Sequence, residues 1–199
     1  MVTTLAEYPS KLAEYPSKEH HHFMKRLQPV TDARQLRRAF GMFPSGVAAV
    51  CARIDRVPVG MAASSFTSVS VDPALVSVCI QNTSETWPQL RERPRLGLSV
   101  LAASHEVAVM QLASKSGDRF AGIEWDTGPH DCILIRGSSA WMEVSLFQEV
   151  PAGDHIIALL EVHGLDTSEH TPPLIFHASK FHKMVSSRIV HDDIFSGRG

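Results

Sequence analysis

Short apolar runs separated by turn residues fill the sequence after residue 46. They lie at 47–54, 59–62, 66–70, 75–80, 96–101, 133–148, 154–165, 174–177 and 181–185. The segments 55–58 (DRVP) and 72–73 (DP) separate the first of these runs with residues typical of turns. Short strands at this spacing predict an antiparallel sheet that meanders or closes into a barrel.

Three segments have the spacing of helices. At 32–43, Asp32 and Gln35 form a capping-box pattern, and an apolar stripe follows at Leu36, Ala39, Phe40 and Phe43. A short helix is predicted at 86–93, and a longer one at 104–115 begins at Ser104. The inward stripe expected for that last helix is Val107, Met110, Leu112 and Ala113. The segment 117–131 has little periodicity and predicts a long loop, so the class is mainly β with a few short helices.

The first 30 residues predict a flexible leader. The heptapeptide LAEYPSK occurs twice, at 5–11 and 12–18, and the prolines Pro9 and Pro16 interrupt any helix. Two copies are too few for a solenoid. Residues 20–22 are three histidines, but a leader is a poor metal site, and we expect no bound metal. The predicted organisation is a leader at 1–30, one domain at 31–186 and a tail at 187–199.

Composition excludes several classes of protein. The 199 residues are 44% hydrophobic and 20% charged, an ordinary mixture for a soluble domain. The formal charge of −2, without a basic run, argues against a nucleic-acid partner. No apolar stretch reaches the roughly 18 residues of a membrane span, so we expect no membrane association and a cytoplasmic protein. We interpret Cys51, Cys79 and Cys132 as small buried apolar residues.

Familiar catalytic motifs do not occur in the sequence. GxGxxG, GxxxxGK[ST], HExxH and GxSxG are all absent, which argues against a Rossmann, P-loop, zincin or α/β-hydrolase enzyme. The chemistry must therefore be sought in less familiar segments.

Two hydroxyl-rich segments are candidates for ligand binding. In 60–70 (GMAASSFTSVS), hydroxyls alternate with small residues that leave the main chain open to a planar polar ligand, although a solvated edge strand would look the same. In 81–87 (QNTSETW), hydroxyls stand at a predicted helix start, where a phosphate could bind. The alternative is ordinary capping by Ser84 or Glu85.

Two further segments contain charged or titratable candidates. Arg119 in 117–122 (GDRFAG) could contact a phosphate in bidentate fashion, or it could be a surface arginine paired with Asp118. His155 in 153–155 (GDH) begins an apolar strand, where it could orient a substrate, exchange protons or serve only the structure.

Together these segments resemble the flavin reductase family with the FMN-binding split-barrel fold, the reductase components of two-component flavin-dependent monooxygenases. The resemblance runs from about residue 36 to 184 and includes FPSGV, PVGMAASSFTSVSVDPALVSVCI, NTSETW, GDRFAG, GDH and PLIFHASKFHKM in the family's order. The implied fold is a mainly β split barrel with a few short helices.

The resemblance also implies a role for individual residues. Positions Ala63, Ser64, Ser65, Thr67 and Ser68 match the stretch that lines the isoalloxazine ring and ribityl chain. Flavin phosphate and ribityl contacts are implied for the segment 82–87 and the pair at 119–120, and Phe181, with His177, matches a segment that helps cover the pocket. The implied cofactor-binding residues of these last segments are Asn82, Thr83, Ser84, Trp87, Arg119, Phe120 and Phe181. His155 matches the residue beside the nicotinamide. The family commonly has Asn in place of Ser64, and often Tyr in place of Phe176 or Phe181.

The implied activity is NAD(P)H:flavin oxidoreduction. The cofactors would be FMN or FAD, with NADH or NADPH as hydride donor, and the partners a second copy of the chain and a monooxygenase component. Two other functions remain open: a non-catalytic flavin-binding accessory protein and a split-barrel flavin oxidase. The sequence does not distinguish FMN from FAD, or NADH from NADPH.

Overall fold

A seven-stranded antiparallel sheet forms the framework of the protein. The computed structural model describes residues 29–30 and 32–184, and the chain divides after Phe40 into two compact units. The larger unit begins at Gly41 and contains the sheet. Its strands are β2 (Ala48–Ile54), β3 (Val57–Ala63), β4 (Thr67–Val71), β5 (Ala74–Gln81), β6 (Leu96–Val100), β9 (Ala140–Ala152) and β10 (His155–Thr167). Their order across the sheet is β3-β2-β6-β9-β10-β5-β4.

Two smaller sheets and two short helices make up the remaining regular structure in the described residues of this unit. A three-stranded sheet joins β1 (Ser45–Gly46), β11 (Leu174–His177) and β12 (Lys180–Lys183), and a two-stranded sheet joins β7 (Trp125–Thr127) and β8 (Ile133–Ile135). The helices are α2 (Trp87–Leu90) and α3 (Glu106–Leu112), with a 3₁₀ turn at Pro129–Asp131. The mainly β prediction is confirmed.

Two apolar clusters form the core of the part of the chain that the structure describes. The first contains Val50, Val78, Leu98 and Leu160 from neighbouring strands of the main sheet. The second lies between that sheet and the segments that cover it, and includes Cys51, Leu101, Leu112 and Ile133. At Gly97 the strands and β8 come so close that a Cβ atom would lie 1.9 Å from the carbonyl oxygen of Ile133. Only glycine fits at that position.

The smaller unit contributes one described helix, α1 (Ala33–Gly41). The Asp32 carboxylate accepts a hydrogen bond from the main-chain N–H of Arg34 at 2.8 Å, in agreement with the capping role predicted for it. The helix ends at Gly41, so Phe43 of the predicted stripe lies beyond it, and no α1 residue is buried. Apart from residues 29–30, the predicted leader lies outside the described residues, as does the whole predicted tail.

The stripe predicted for the third helix is wrong. Val107 and Met110 are 69% and 66% exposed, whereas Ala108, Val109 and Leu112 are buried. The helix has seven residues, starts at Glu106 and is apolar on several sides. Periodicity cannot select the buried face of so short a segment.

Two boundaries and one cysteine also differ from expectation. The predicted loop at 117–131 contains β7, whose Trp125 pairs with Ile135, and the predicted strand at 133–148 is divided by Gly137, which has a φ of 74°. Cys51 and Cys132 are buried as expected, but Cys79 is exposed and lines the cleft described below. None of the helices within the described ranges is long and apolar enough to cross a membrane.

Candidate functional site

A cleft of about 500 Å³ lies where the segment after β3, the loop after β5 and the end of α3 meet. It is lined by both main-chain and side-chain polar groups, and its apolar walls include Met61, Ile80 and Leu112. The predicted site residues that line it are Ala63, Ser64, Ser65, Thr83, Ser84, Arg119 and His155. All four candidate segments reach the cleft, and the third and fourth do so through Arg119 and His155.

Ser65 ties one wall of the cleft to the main sheet. Its hydroxyl donates to the carbonyl oxygen of Cys79 at 3.1 Å and accepts from the N–H of the same residue at 2.8 Å. The hydroxyl is therefore occupied by β5. A ligand at this position has the main chain of the 63–65 segment and the exposed Ser64 side chain available to it.

The loop after β5 is shaped by local hydrogen bonds. The Ser84 hydroxyl accepts the main-chain N–H of Trp87, the first residue of α2, at 3.2 Å, although the N-cap position itself is Thr86. Helix α2 has only four residues, so its dipole contributes little to anion binding. An anion in this cleft depends on side-chain cations.

Glu149 of β9 links α2 to the main sheet through hydrogen bonds. One carboxylate oxygen accepts the Trp87 indole N–H at 2.6 Å, and the other lies 2.9 Å from the Arg91 guanidinium. The Trp87 side chain belongs to the first apolar cluster and is 3% exposed. Trp87 therefore supports the cleft from behind and does not line it.

Arg119 bridges two elements at the mouth of the cleft. Its Nη1 donates to the Thr86 hydroxyl at 2.6 Å and lies 3.5 Å from the carbonyl oxygen of Gly60. Asp118 is used differently from the surface pairing considered above, because its carboxylate accepts the main-chain N–H of Phe120 at 2.9 Å. The buried Phe120 ring anchors the segment in the second core cluster. A further cation, Lys115, lines the same cleft.

His155 lines the cleft from the first position of β10. Its Nδ1 lies 2.7 Å from the Asp154 carboxylate, which can only accept, so Nδ1 donates this hydrogen bond. The turn that presents His155 is fixed by Asn82, whose side-chain amide donates to Gly153 at 3.1 Å and whose N–H donates to Asp154 at 3.0 Å. The second and fourth candidate segments are thus directly joined.

Some predicted residues lie away from the cleft lining, and some lining residues were missed. Those not in the lining are Thr67, Ser68, Asn82, Trp87, Phe120 and Phe181. Phe181 instead packs on Phe176, with ring centroids 5.4 Å apart, and His177 is also absent from the lining. The missed lining residues include Cys79, Gln81, Thr86 and Lys115. Thr86 lies within the hydroxyl-rich segment 81–87. Lys115 and Arg119 line the same cleft because α3 packs against β3, and the local sequence around Lys115 does not indicate that packing.

Burial sets the protonation of three groups outside the cleft lining. It raises the pKa of the Cys51 thiol to about 12 and also raises the pKa of Cys132, so neither is a ready nucleophile. It lowers the pKa of His105, whose Nδ1 accepts the main-chain N–H of Ala102 at 3.1 Å. The folded state therefore favours the neutral form of His105.

The chain resembles several flavin reductases and monooxygenase components. It is 37% identical to the actinorhodin polyketide dimerase of Streptomyces coelicolor over 78% of this chain and 89% of that one. It is 36% identical to the reductase component of the flavin-dependent trigonelline monooxygenase of Acinetobacter baylyi, over 73% of this chain but only 47% of the relative.

Solved structures show the same likeness. The NADH:FAD oxidoreductase SgcE6 of Streptomyces globisporus, in complex with NAD and FAD fragments, superposes with a TM-score of 0.76 and 33% identity, covering 81% of this chain and 99% of that one. BorF, the flavin reductase component of a bacterial two-component tryptophan halogenase, gives a TM-score of 0.71 and 32% identity, covering 78% and 100%. These likenesses confirm the predicted split-barrel class of fold.

The family model for the flavin reductase like domain matches residues 40–184, which include the main sheet and the whole cleft. The match spans well over half of the chain and contains all four candidate segments. The chain therefore belongs to the flavin reductase family.

Proposed function

We propose that the protein is an NAD(P)H:flavin oxidoreductase that supplies reduced flavin to a separate monooxygenase component. The observation that supports this most is the single cleft in which Arg119 and His155 line one space with the 63–65 main chain. One end of that space has cations for a phosphate, and the rest has the polar main chain and small side chains that suit a flat ring.

The donor set fits a flavin. An isoalloxazine ring needs an apolar surface and main-chain partners at its edge, which Met61, Ala62 and the 63–65 segment supply. A flavin phosphate needs a fixed cation, and Arg119 is already held by Thr86 at 2.6 Å. We infer that Thr83, Ser84 and Lys115 complete the phosphate and ribityl contacts.

A bound flavin supplies the redox chemistry by accepting a hydride from the reduced nicotinamide. The protein has to place the two rings and partly exclude water. Arg119 binds and orients the phosphate, while His155 lines the cleft with an imidazole ring that can hydrogen-bond a nicotinamide carboxamide. In this mechanism no side chain of the chain acts as a covalent catalyst.

We also propose that two copies of the chain assemble. In the described part of the main sheet, β3 and β4 are the edge strands. Apolar side chains remain exposed along the sheet, with Val69 at 49%, Phe147 at 52% and Val150 at 37%. Covering them with a second copy would remove an open edge and apolar surface together. A monomer in sedimentation velocity that still binds flavin tightly would contradict the dimer.

Anaerobic stopped-flow spectroscopy tests the reductase function. The protein is mixed with FMN or FAD and then with NADH or NADPH, and flavin absorbance is followed. We expect at least one pair to bleach rapidly in proportion to enzyme. If flavin binds but no nicotinamide bleaches it, the protein is an accessory flavin binder or an oxidase, and the proposal is wrong.

A further inference from the structure

The two-residue turn that presents His155 has little packing around it. β9 ends at Ala152 and β10 begins at His155, so Gly153 and Asp154 form the turn. A Cβ atom built on Gly153 would have no atom of a non-neighbouring residue within 4 Å, and the Asp154 side chain is 95% exposed. Because packing does not fix the main chain of this turn, its position depends on hydrogen bonds.

Asn82 supplies two of those hydrogen bonds from the neighbouring strand. The ladder between β5 and β10 ends where Gln81 faces His155. One residue further, the main-chain N–H of Asn82 donates to the Asp154 carbonyl oxygen at 3.0 Å, and its side-chain amide donates to the Gly153 carbonyl oxygen at 3.1 Å. Asn82 thus holds both carbonyl groups of the turn.

The position of the turn in its turn sets the orientation of the His155 ring. Nδ1 of the ring donates a hydrogen bond of 2.7 Å to the Asp154 carboxylate. The last side-chain torsion of a histidine has a broad range, so a partner at one nitrogen is needed to hold the ring. Because Asn82 fixes the main chain of Asp154, it restricts where that carboxylate can hold the ring.

Asn82 does not itself line the cleft. Its neighbours Gln81 and Thr83 do, whereas the amide nitrogen of Asn82 contacts the turn. An effect of this side chain on hydride transfer would therefore pass through His155. Asn82 is also exposed, so its truncation leaves no cavity in the core.

We propose that Asn82 is a positioning residue for hydride transfer, which holds the imidazole of His155 in place and contacts neither flavin nor nicotinamide. The inference rests on the proposed function, in which His155 meets the nicotinamide. A positioning group narrows the geometries in which the two reacting rings are held, so its loss lowers the rate without removing a reacting atom. A purely structural asparagine would stabilise the turn and leave the rate of hydride transfer unchanged.

A double-mutant cycle separates these two roles. Asn82→Ala is made in the wild-type protein and in His155→Ala, and reduction of the bound flavin at limiting NADH or NADPH is followed by anaerobic stopped-flow spectroscopy. Calorimetry on the FMN-loaded protein gives the dissociation constant of the oxidised nucleotide, fluorescence gives that of FMN, and urea unfolding gives the stability of each variant. Gln111→Ala is the matched control, because the Gln111 amide also donates to a main-chain oxygen, that of Ala121 at 2.8 Å, and does not line the cleft.

We expect Asn82→Ala to slow flavin reduction by about fivefold, the size of one lost hydrogen bond, and by less than about twofold once His155 is absent. The oxidised nucleotide should bind about threefold more weakly, again only while His155 is present. The dissociation constant of FMN should stay within about twofold of the wild-type value. Gln111→Ala should leave the reduction rate near that of the wild type even where it lowers stability as much as Asn82→Ala.

An equal loss of rate in both backgrounds, or no loss in the wild-type background, would overturn the inference, because Asn82 would then not act through His155. A parallel loss of FMN affinity would overturn it as well, since it would place Asn82 among the flavin contacts. If Asn82→Ala does not fold, Asn82→Ser, which removes the amide but keeps a shorter donor, takes its place in the same cycle. A wild-type protein whose bound flavin no nicotinamide nucleotide reduces would contradict the proposed function, whereas normal wild-type reduction with an unaffected Asn82 variant would contradict this inference alone.

Discussion

Replacing Glu149 by alanine should destabilise the protein and loosen the candidate cleft. The carboxylate accepts the Trp87 indole N–H at 2.6 Å and contacts Arg91 at 2.9 Å. Without it, the indole N–H of a side chain that is 3% exposed has no partner. A buried unsatisfied donor costs about 1–3 kcal/mol.

The contact with Arg91 adds less. The Arg91 side chain is 42% exposed, so solvent screens the pair and its loss should cost at most about 1 kcal/mol. The free energy of unfolding should therefore fall by about 1–4 kcal/mol in Glu149→Ala, mostly because of the indole. Glu149→Gln keeps an oxygen acceptor for the indole and should lose less than half as much.

A double-mutant cycle isolates the indole contribution. Trp87→Phe removes the donor, so Glu149→Ala in that background should cost only the exposed ion pair. Unfolding in urea is followed by circular dichroism, because tryptophan fluorescence would change with the substitution itself. FMN affinity is measured in parallel, since α2 begins directly after Thr86, the partner of Arg119. Equal costs of Glu149→Ala in both backgrounds would refute the reasoning.

Four other predictions test separate parts of the structure. Arg119→Ala should weaken FMN binding by about 1–3 kcal/mol in fluorescence titrations and riboflavin binding much less, and equal losses would move the phosphate elsewhere. His155→Ala should raise the KM for NAD(P)H and slow flavin reduction by about 10- to 100-fold in single-turnover kinetics, with flavin affinity nearly intact. Normal reduction at both limiting and saturating NADH would contradict a role of His155 in positioning the nicotinamide. Gly97→Ala should cost about 3 kcal/mol or more by urea unfolding, because the new Cβ meets the Ile133 oxygen at 1.9 Å, whereas Gly46→Ala, with no atom within 4 Å, should be nearly neutral. The pKa of His105 is lower in the folded state, so the unfolded state binds the proton more readily. The contribution of His105 to the free energy of unfolding is therefore complete above pH 6.5 and is lost as the pH falls through the folded-state pKa. His105→Asn should flatten this part of the curve of stability against pH, and an unchanged slope would exclude His105 as its source.

Most of the strands could be predicted because apolar residues and turn residues mark them within a few positions of each other in the sequence. Alternating apolar residues and turn dipeptides placed β5 and β11 within a residue of their observed ends. The short helix α3 was harder, because Val107 and Val109 are equally apolar and only the surrounding sheet decides which one is buried. Propensity describes a segment, whereas burial depends on what the segment meets.

The cleft was predictable as a set of segments but not as a set of contacts. Four sequence segments pointed to it, and Arg119 and His155 both line it. The sequence could not show that Thr86 is the partner of Arg119, 33 positions away, or that Trp87 faces Glu149, 62 positions away. Those pairings depend on how distant strands come together.

The hydroxyl of Ser65 forms the two hydrogen bonds with the main chain of Cys79 that a peptide group of a neighbouring strand would otherwise form. The pairing of Thr67 with Ser77 places Ser65 opposite Cys79, and its side chain makes the donor and acceptor bonds that its main chain would make in a continued ladder. The backbone at 64–66 can therefore leave the sheet without exposing an unsatisfied rung on β5. Substitution should affect this contact unequally at its two positions: the contact uses only the main chain of position 79, whereas position 65 must retain a hydroxyl.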